Sequence, residues 1–418
     1  MRGGVIVGVS CTAVTGTVFV PAPQRPAGGT AYKEPSFHSG TLSVLAALDA
    51  PEAASRYTRR PDLKTSLLEW LVCPACKHEL RCAPDEQRAT QSGSEVEVLE
   101  GRLTCNGCEA TYPILRGIAR MAPRILLTEQ KRTANAFGYE WQHFDSVQDT
   151  HERQFLEWID PLRPAVFKGK VVLDAGCGMG RHTYVTSGYG ATAVIGIDLS
   201  EAVEAAYRNT SHLPNAHIVQ ADINRLPFLS PFDLIYSVGV LHHLPDPAQG
   251  FASLTGHLRE GGRIAAWVYG AEGNFLVARI LTPIRETLTS RLPLKALHAL
   301  SWIPAAIAYP FLKTVFAALN RRPDLRRRVA AVPYLEYLCY LSDFGLNQLH
   351  SIVFDHLAPS ISFYLTRRDV EGWLTRTGLV QGAVYWHKRY SWRLQGTRAQ
   401  VNPGETTQAE NPLAAARS

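Results

Sequence analysis

The chain has 418 residues, enough for two or three domains at roughly 100 to 200 residues each, which excludes a single small binding module. Hydrophobic residues make up 46% of it and charged residues 19%, so a mainly disordered chain is also excluded. The net charge of +6 would suit contact with phosphates or an anionic membrane, but a charge of this size is common in ordinary enzymes.

Residues 1–62 are predicted to be a disordered extension, because they are rich in Gly, Pro, Ala and Thr and lack sustained periodicity. The weak apolar run that ends at Val20 superficially resembles a secretion signal. Gly, Ser and Thr dilute that run, and no clear small-residue cleavage site follows it. We therefore assign no chemistry to this segment.

Residues 63–122 are predicted to form a zinc-binding module. Four of the eight cysteines fall in two C-x-x-C pairs, Cys73 with Cys76 and Cys105 with Cys108, and each pair can wrap two thiolates round one side of a tetrahedral Zn²⁺. Four thiolates leave no open coordination position, so we expect a structural zinc; free paired thiols are the alternative. Cysteines in metal spacing indicate a reducing compartment, and we expect a cytoplasmic protein.

The sequences around the cysteine pairs carry a family resemblance. The lead-in Leu71-Val-Cys-Pro-Ala-Cys-Lys-His-Glu-Leu and the exit Thr111-Tyr-Pro-Ile-Leu-Arg-Gly-Ile resemble the zinc-ribbon modules related to the small activator subunit of tRNA and protein methyltransferases. The polar stretch 84–97 between the two pairs is predicted to be a loop of this ribbon.

Residues 166–270 alternate between predicted strands and helices. The apolar runs that predict strands lie at 171–173, 194–197, 217–220, 233–237 and 263–269. Strands separated by helices are βαβ units, which build a parallel sheet. The predicted fold class is therefore a doubly wound, mostly parallel, Rossmann-like α/β sheet, with a helical insert and a small N-terminal zinc ribbon.

The strongest chemical signal is the run Asp174-Ala-Gly-Cys-Gly-Met-Gly, in which a strand enters a glycine-rich turn at the start of a helix. Glycines let the backbone bend tightly against a ligand, whose polar groups meet the free N–H groups of the helix. Asp198 ends the second strand, where an acid can accept hydrogen bonds from ribose hydroxyls. Asp222 follows the third strand at the same edge. A nucleotide-like cofactor is expected.

Five blocks in this order resemble the class I S-adenosylmethionine-dependent methyltransferases, in the branch that looks like the ubiquinone and menaquinone biosynthesis enzymes. They are Leu173-Asp-Ala-Gly-Cys-Gly-Met-Gly, Gly196-Ile-Asp-Leu-Ser, Ala221-Asp-Ile-Asn-Arg-Leu-Pro-Phe, Phe232-Asp-Leu-Ile-Tyr-Ser-Val-Gly-Val-Leu-His-His-Leu-Pro-Asp-Pro and Leu258-Arg-Glu-Gly-Gly-Arg-Ile. The Gly-x-Gly-x-Gly spacing favours S-adenosylmethionine over a nicotinamide dinucleotide.

The resemblance implies which residues bind S-adenosylmethionine. It places Asp198 at the ribose, Asp222 and Ile223 at the adenine, and Ser237 on the methyl-transfer side. The residues that it places around the methionine moiety are Asp174, Gly176, Gly178 and Gly180. Leu199 is a further cofactor-binding candidate.

The predicted helical, aromatic segment 123–165 includes Phe137-Gly-Tyr-Glu-Trp-Gln-His-Phe, which looks like the segment that folds over the cofactor in related bacterial methyltransferases. Tyr139 and Trp141 are its candidate cofactor contacts. The alternative is a helix that uses its aromatic side chains as core.

His242 and His243 follow the fourth strand and are the candidate catalytic residues, with His243 preferred. Methyl transfer needs an acceptor held in line with the sulfonium and often a base for its proton, and imidazole is suited to that near neutral pH. The alternative is a histidine that caps the next helix or bonds a loop carbonyl.

Residues 271–358 are predicted to be a helical insert, or cap, over the working edge of the sheet. Its apolar segment 302–316 stands next to the basic cluster 321–328, a combination that can lie in a membrane interface or roof a lipid-like substrate. Packing against the sheet, with solvated arginines, is the alternative. Asp355 and His356 could reach the acceptor pocket.

The apolar stretch 296–312 is too short to span a membrane and contains Pro304 and Pro310, so no transmembrane helix is predicted. Residues 359–396 are predicted to complete the methyltransferase sheet, and residues 397–418 to form a polar tail.

The sequence therefore predicts a cytoplasmic methyltransferase that moves the sulfonium methyl by direct displacement to a small-molecule or lipid-like acceptor, with peripheral membrane contact and with nucleic acid less favoured. An RNA methyltransferase is the first alternative, because zinc-ribbon methyltransferases that modify ribosomal RNA exist. The second is a non-catalytic protein with the cofactor fold, which recruits a partner through its zinc ribbon. The oligomeric state is left open.

Overall fold

The computed structural model describes residues 63–400, apart from residues 90–95, 149 and 230–231. The expected N-terminal extension, including the run that resembles a secretion signal, lies outside the described residues, as do residues 401–418 of the expected tail. The first residue of that tail, Thr397, belongs to a strand.

The zinc ribbon is a small antiparallel sheet. Its elements are β1 (Leu63–Lys64), a 3₁₀ helix (Thr65–Glu69), β2 (Leu80–Ala89), β3 (Val96–Cys105), β4 (Thr111–Leu115) and β5 (Ile118–Arg120). The prediction of a loop over 84–97 is wrong, because most of that stretch lies in the β2–β3 hairpin, whose register runs from Leu80 opposite Cys105 to Ala89 opposite Val96. Between Pro84 and Ala89, β2 carries only polar residues and so lacks the apolar alternation that predicts a strand, whereas its partner β3 buries Val98 and Leu103.

Two helices lead into the larger sheet. They are α1 (Thr128–His143) and α2 (Thr150–Ile159), followed by a 3₁₀ helix (Pro164–Phe167). On α2, Phe155 is fully buried; its ring is tilted against that of Phe167 and meets that of Tyr236 edge to face. This helix therefore belongs to the core of the sheet.

The parallel sheet has the predicted alternation. In chain order its elements are β6 (Val171–Ala175), α3 (Arg181–Ser187), β7 (Ala193–Asp198), α4 (Val203–Thr210), β8 (Ala216–Gln220), β9 (Phe232–Val238), α5 (Pro247–Gly256) and β10 (Leu258–Tyr269). Strand order is β8-β7-β6-β9-β10, so the order reverses between β6 and β9. In open α/β sheets the ligand lies at such a switch point, outside the carboxyl ends of the strands. The predicted fold class is confirmed.

The ribbon and the parallel sheet are continuous. β5 pairs in parallel with β8, with Ala119 opposite Val219 and Arg120 opposite Gln220. Buried apolar side chains from both parts form one cluster, in which Leu67 and Leu71 of the ribbon join Phe228. One core therefore stabilises both parts.

The insert is helical. It contains a π-helical turn (Val277–Leu281), α6 (Thr282–Thr287), a 3₁₀ helix (Thr289–Arg291), α7 (Leu294–Phe311), a second π-helical turn (Leu312–Phe316), α8 (Ala317–Asn320), α9 (Pro323–Arg328), α10 (Leu335–Leu341) and α11 (Leu346–Leu357). Helix α11 packs against α7 and α1. Ala136, Leu297, Phe354 and Ala358 form the small core between these three helices.

The stretch Leu294–Asn320 is one continuous helical segment of 27 residues. By length and composition only, it is the one helix among the described residues that could cross a membrane, and 17% of its most apolar window is buried. The helix is therefore longer than the apolar stretch 296–312, and the expectation that it is too short to span a membrane is wrong. Both Pro304 and Pro310 lie inside the helix, and a π turn follows Pro310.

The sheet ends with α12 (Arg367–Arg376), β11 (Val380–His387) and β12 (Ser391–Thr397). β12 pairs antiparallel with β10, and β11 pairs antiparallel with β12. The main-chain N–H of Leu365 donates to the carbonyl of Tyr269, which ties the return from the insert to the end of β10.

Candidate active site and metal centre

The four paired cysteines converge. Their sulfur atoms all lie within 4.8 Å of one another, with 3.7 Å between the Sγ atoms of Cys73 and Cys108 and 3.4 Å between those of Cys76 and Cys105. Zn–S bonds of about 2.3 Å in a tetrahedron would place the sulfurs roughly 3.8 Å apart. The cluster therefore fits one zinc ion with four protein ligands.

The two cysteine pairs are built alike. The residue after each second cysteine, Lys77 or Glu109, has a positive φ, of 64° and 58° respectively, and its N–H donates to the carbonyl of the first cysteine. In the second pair the N–H groups of Gly107 and Cys108 also donate to the Cys105 sulfur. Tight turns with N–H groups aimed at sulfur favour thiolates at these positions. The centre is closed, as a structural zinc requires.

The glycine-rich turn lies at the switch point and needs its glycines. Gly176 and Gly178 have φ of +86° and +53°. A Cβ at Gly176 would lie 2.3 Å from the Val240 side chain, and one at Gly178 would lie 3.0 Å from Nε1 of Trp141. The predicted aromatic segment thus meets the turn through Trp141, and both glycines and Trp141 line one cavity.

Asp198 lines the cavity and also stabilises the glycine-rich turn by a hydrogen bond. Its Oδ2 accepts a hydrogen bond from the Gly178 N–H at 3.0 Å, and its Oδ1 accepts from the N–H and the hydroxyl of Ser200. Burial raises the pKa of Asp198, while these hydrogen bonds oppose that shift. Because each carboxylate oxygen has two lone pairs, acceptor capacity remains for ribose hydroxyls. Leu199 lines the cavity beside it.

The proposed adenine side is formed by the loop after β8. Asp222 caps the 3₁₀ turn Ile223–Arg225, with Oδ1 accepting from the Asn224 N–H at 2.8 Å. Its Oδ2 accepts from the Gln130 side chain of α1 at 3.3 Å. Asp222 and Ile223 both line the cavity.

Five predicted site residues do not line this cavity; they are Asp174, Gly180, Ser237, Tyr139 and His242. Asp174 accepts from the Thr183 hydroxyl at 2.7 Å, and burial raises its pKa to about 7. The Ser237 hydroxyl donates to the Ala175 carbonyl, Gly180 packs against Ala206, and Tyr139 stacks on His143. The structure gives these four residues supporting contacts instead of a place on the cavity wall.

The two adjacent histidines face different surroundings. His242 is fully buried against Tyr269, and both of its ring nitrogens are buried without a hydrogen-bond partner among the described residues. His243 lines the cavity, and its Nδ1 lies 2.7 Å from the Ile361 carbonyl. Burial lowers the pKa of both imidazoles, so both are neutral near pH 7.

The cavity has a volume of about 550 Å³ and continues from the glycine-rich turn to a polar cluster under the insert. Beside His243, the Tyr269 hydroxyl donates to Oδ2 of Asp355 at 2.9 Å. His356 lies on the same helix, with its Nε2 3.2 Å from the Tyr337 hydroxyl. The suggestion that Asp355 and His356 reach this pocket agrees with their place on its wall.

A second group of cavity residues was missed by the sequence reasoning. Arg181 lies with its guanidinium carbon 5.0 Å from the Trp141 ring centroid and 5.6 Å from that of Trp158. Glu140 is buried, accepts from the Ser351 hydroxyl, and has a pKa well above its ordinary value because of burial and the nearby Asp355. The four-residue spacing of Ser351 and Asp355 on α11 was the available signal, since it puts both on one helix face.

Comparison with known proteins gives two family matches. Residues 172–262 match a family described as methyltransferase domain, and residues 64–117 match one described as Trm112p-like protein. The chain thus carries a class I S-adenosylmethionine-dependent methyltransferase domain. A Trm112p-like zinc ribbon precedes it, so the resemblances to a class I methyltransferase and to a zinc ribbon are confirmed, together with the S-adenosylmethionine and the structural zinc that they imply.

The curated relatives include tRNA U34 carboxymethyltransferases. That of Pseudoalteromonas translucida is 36% identical over 131 residues, which are 30% of this chain and 40% of the relative. That of Psychromonas ingrahamii is 37% identical over 122 residues, or 28% of this chain and 37% of the relative. This chain therefore spans about two fifths of the length of these relatives.

Among solved structures, human N-acetylserotonin methyltransferase in complex with S-adenosylmethionine aligns over 63% of this chain and 56% of its own. The identity is 13% and the TM-score is 0.37.

The relatives correct one prediction. We expected a small-molecule or lipid-like acceptor, with peripheral membrane contact and with nucleic acid less favoured. This expectation is wrong, since the relatives are named for tRNA. The expectation rested on the apolar segment 302–316 and on the basic cluster 321–328. Arginines bind the phosphates of lipids and of RNA alike, and apolar helices also pack within a protein.

Replacing Cys73 by Ser should remove the zinc and lower the melting temperature, because metal binding contributes directly to folding of such a centre. Metal analysis of the wild-type chain should return one zinc per molecule. Cys82→Ser is the matched control, since Cys82 lies on β2 outside the four-sulfur cluster and should leave the zinc content unchanged. A wild-type protein that is stable and free of zinc would refute the metal centre.

Replacing Asp198 by Ala should weaken S-adenosylmethionine binding by about 1–3 kcal/mol, because charge-assisted hydrogen bonds to the ribose and to the Gly178 N–H are lost. Isothermal titration calorimetry measures this change. Asp343→Ala, at an exposed position, is the control. An unchanged affinity in a folded Asp198→Ala variant would contradict the assignment.

Proposed function

We propose that this chain is a cytoplasmic enzyme that transfers a methyl group from S-adenosylmethionine to a nucleotide of tRNA. The observation that carries the proposal is the single cavity that joins the glycine-rich turn to the polar cluster of His243, Tyr269 and Asp355. The identity of the acceptor is supported by the relatives, which are named for modification of a tRNA uridine. A base must leave its stack for such chemistry, and a cavity of about 550 Å³ can receive one.

The donor side would hold S-adenosylmethionine, which supplies an electrophilic methyl on a sulfonium. Gly176 and Gly178 let the backbone approach the donor, and Asp198 and Asp222 offer acceptors at the carboxyl edge of the sheet. The Arg181 guanidinium would pair with the methionine carboxylate of S-adenosylmethionine and neutralise its charge. It lies beside the turn, near the indole rings of Trp141 and Trp158. The Trp141 indole covers Gly178 and excludes water there.

The acceptor side offers His243 as the base. A carbonyl oxygen can only accept, so the 2.7 Å contact with Ile361 places a proton on Nδ1 and leaves the Nε2 lone pair free to take a proton. Phe137 of α1 packs edge to face on the His243 ring at 4.8 Å and fixes its orientation. Tyr269 and Asp355 beside it can orient the acceptor by hydrogen bonds.

The experiment that tests the function compares tRNA from cells with and without the gene, digested to nucleosides and analysed by mass spectrometry. We expect one nucleoside to lose a methylene in the deletion strain and to regain it with the wild-type gene but not with Asp198→Ala. A lost carboxymethyl group in place of the methylene would revise the transferred group and leave tRNA as the acceptor. Identical nucleosides in both strains, with purified protein that leaves tRNA unmodified, would overturn the proposal.

Replacing His243 by Gln should lower kcat by about 10²–10⁴-fold while leaving donor affinity unchanged, because the base is lost and the glycine-rich turn is not. Burial lowers the His243 pKa, so the neutral, active form should persist to a pH below about 6.5, and activity should fall as pH drops through that lowered value. The pH profile of the wild type measures this. His257→Gln, outside the cavity, is the control, and an acid limb unchanged in a still-active His243→Gln enzyme would exclude His243 as the base.

A further inference from the structure

One end of the cavity is bordered by rings that the proposed chemistry does not use. His143 and Phe144 at the end of α1, His298 and Trp302 of α7, and His350 of α11 all line it; we call these five residues the ring cluster. Exposure falls from His143, which is exposed, through the half-buried His298 and Trp302 to the fully buried His350. The ring cluster therefore leads from solvent into the cavity.

The rings hold one another in place. Trp302 and His350 are stacked, with centroids 4.0 Å apart and planes 20° apart, and His298 meets His350 at 4.6 Å. The Nε2 of His350 lies 2.9 Å from the His298 carbonyl, so the imidazole donates there and cannot swing freely. His143 continues the series at 5.3 Å from His298. Such mutual packing fixes the rings before a ligand binds, so little side-chain entropy remains to be lost on binding.

The chemistry of the ring cluster suits a flat, uncharged ligand with polar edges. Burial lowers the pKa of both His298 and His350, so these rings are neutral near pH 7. The carboxamides of Asn347 and Gln348, which lie three and two residues before His350 on α11, line the same cavity. Aromatic faces next to carboxamides are the combination that stacks a nucleobase and reads its edge.

We propose that the ring cluster is a stacking platform for an unpaired nucleobase of the RNA substrate, either the base entering the cavity or its neighbour in the strand. This proposal rests on the proposed function and adds the residues that recognise the acceptor. Stacking on protein rings is tolerant of sequence, so the platform gives affinity for single-stranded RNA, while Asn347 and Gln348 give base preference.

The test measures binding of a short, end-labelled, single-stranded RNA by fluorescence anisotropy, in the full chain with zinc. Stacking contributes about 1–3 kcal/mol per base, so Trp302→Ala should weaken binding by about 5- to 150-fold, and Trp302→Phe, which keeps a ring, should recover most of it. Trp386→Ala is the matched control, because Trp386 is 46% exposed on β11 and does not line the cavity. Affinity for S-adenosylmethionine should stay at the wild-type value in all three variants.

His143→Ala provides a second variant whose folding is not at risk, since His143 is exposed at the end of α1, and it should weaken RNA binding severalfold. If Trp302→Ala and His143→Ala both bind RNA as tightly as the wild type, and the wild type methylates tRNA, the rings only pack the insert and the platform is refuted while the proposed function stands. If the wild type neither binds nor modifies RNA, the proposed function and the platform fall together.

Discussion

The carboxyl edge of the parallel strands is the constraint on which the site depends. β5, β8, β7, β6, β9 and β10 run in one direction, so their ends meet at one edge, and the order reverses between β6 and β9. The turn after β6, the acid that ends β7 and the loop after β8 therefore face a common space. The hydrogen bond from the Gly178 N–H to Asp198 joins two of these elements directly.

The proposed acceptor side is built from helices that are distant in the chain. α1 covers the turn with Trp141 and touches His243 with Phe137, while α11 brings Ser351 and Asp355 to the same cavity. α7 buries Leu297 against α1 and α11, so the insert is held by apolar contacts and carries polar groups on its inner side. The sheet thus fixes the proposed donor site, and changes in the helices would alter the proposed acceptor side without disturbing it.

Local chemistry was readable from the sequence, and side-chain direction was not. The glycine-rich turn, Asp198 and the cysteine pairs depend on backbone conformation or ligand spacing within a few residues. The structure places Gly176, Gly178 and Asp198 on one cavity and the four paired cysteine sulfurs in one separate cluster. Asp174 and Ser237 lie in strands, where successive side chains point to opposite faces, and a motif does not say which face holds the ligand. His242 and His243 are neighbours in the chain but have different surroundings, because His242 packs on Tyr269 and His243 bonds the carbonyl of Ile361, and both partners come from later elements. Trp302 and His350 meet only in the folded insert.

The pairing of β5 with β8 determines what fraction of the molecules has a ribbon bound to its methyltransferase sheet. When a zinc ribbon and a methyltransferase are separate chains, the fraction that is paired depends on the amounts of both, and one ribbon can be shared among several partners. Here the ribbon lies in the same chain, and a short tether corresponds to an effective concentration of about mM. Every folded molecule therefore has its own ribbon in the sheet, and the ratio of ribbon to methyltransferase is one to one whatever the expression level.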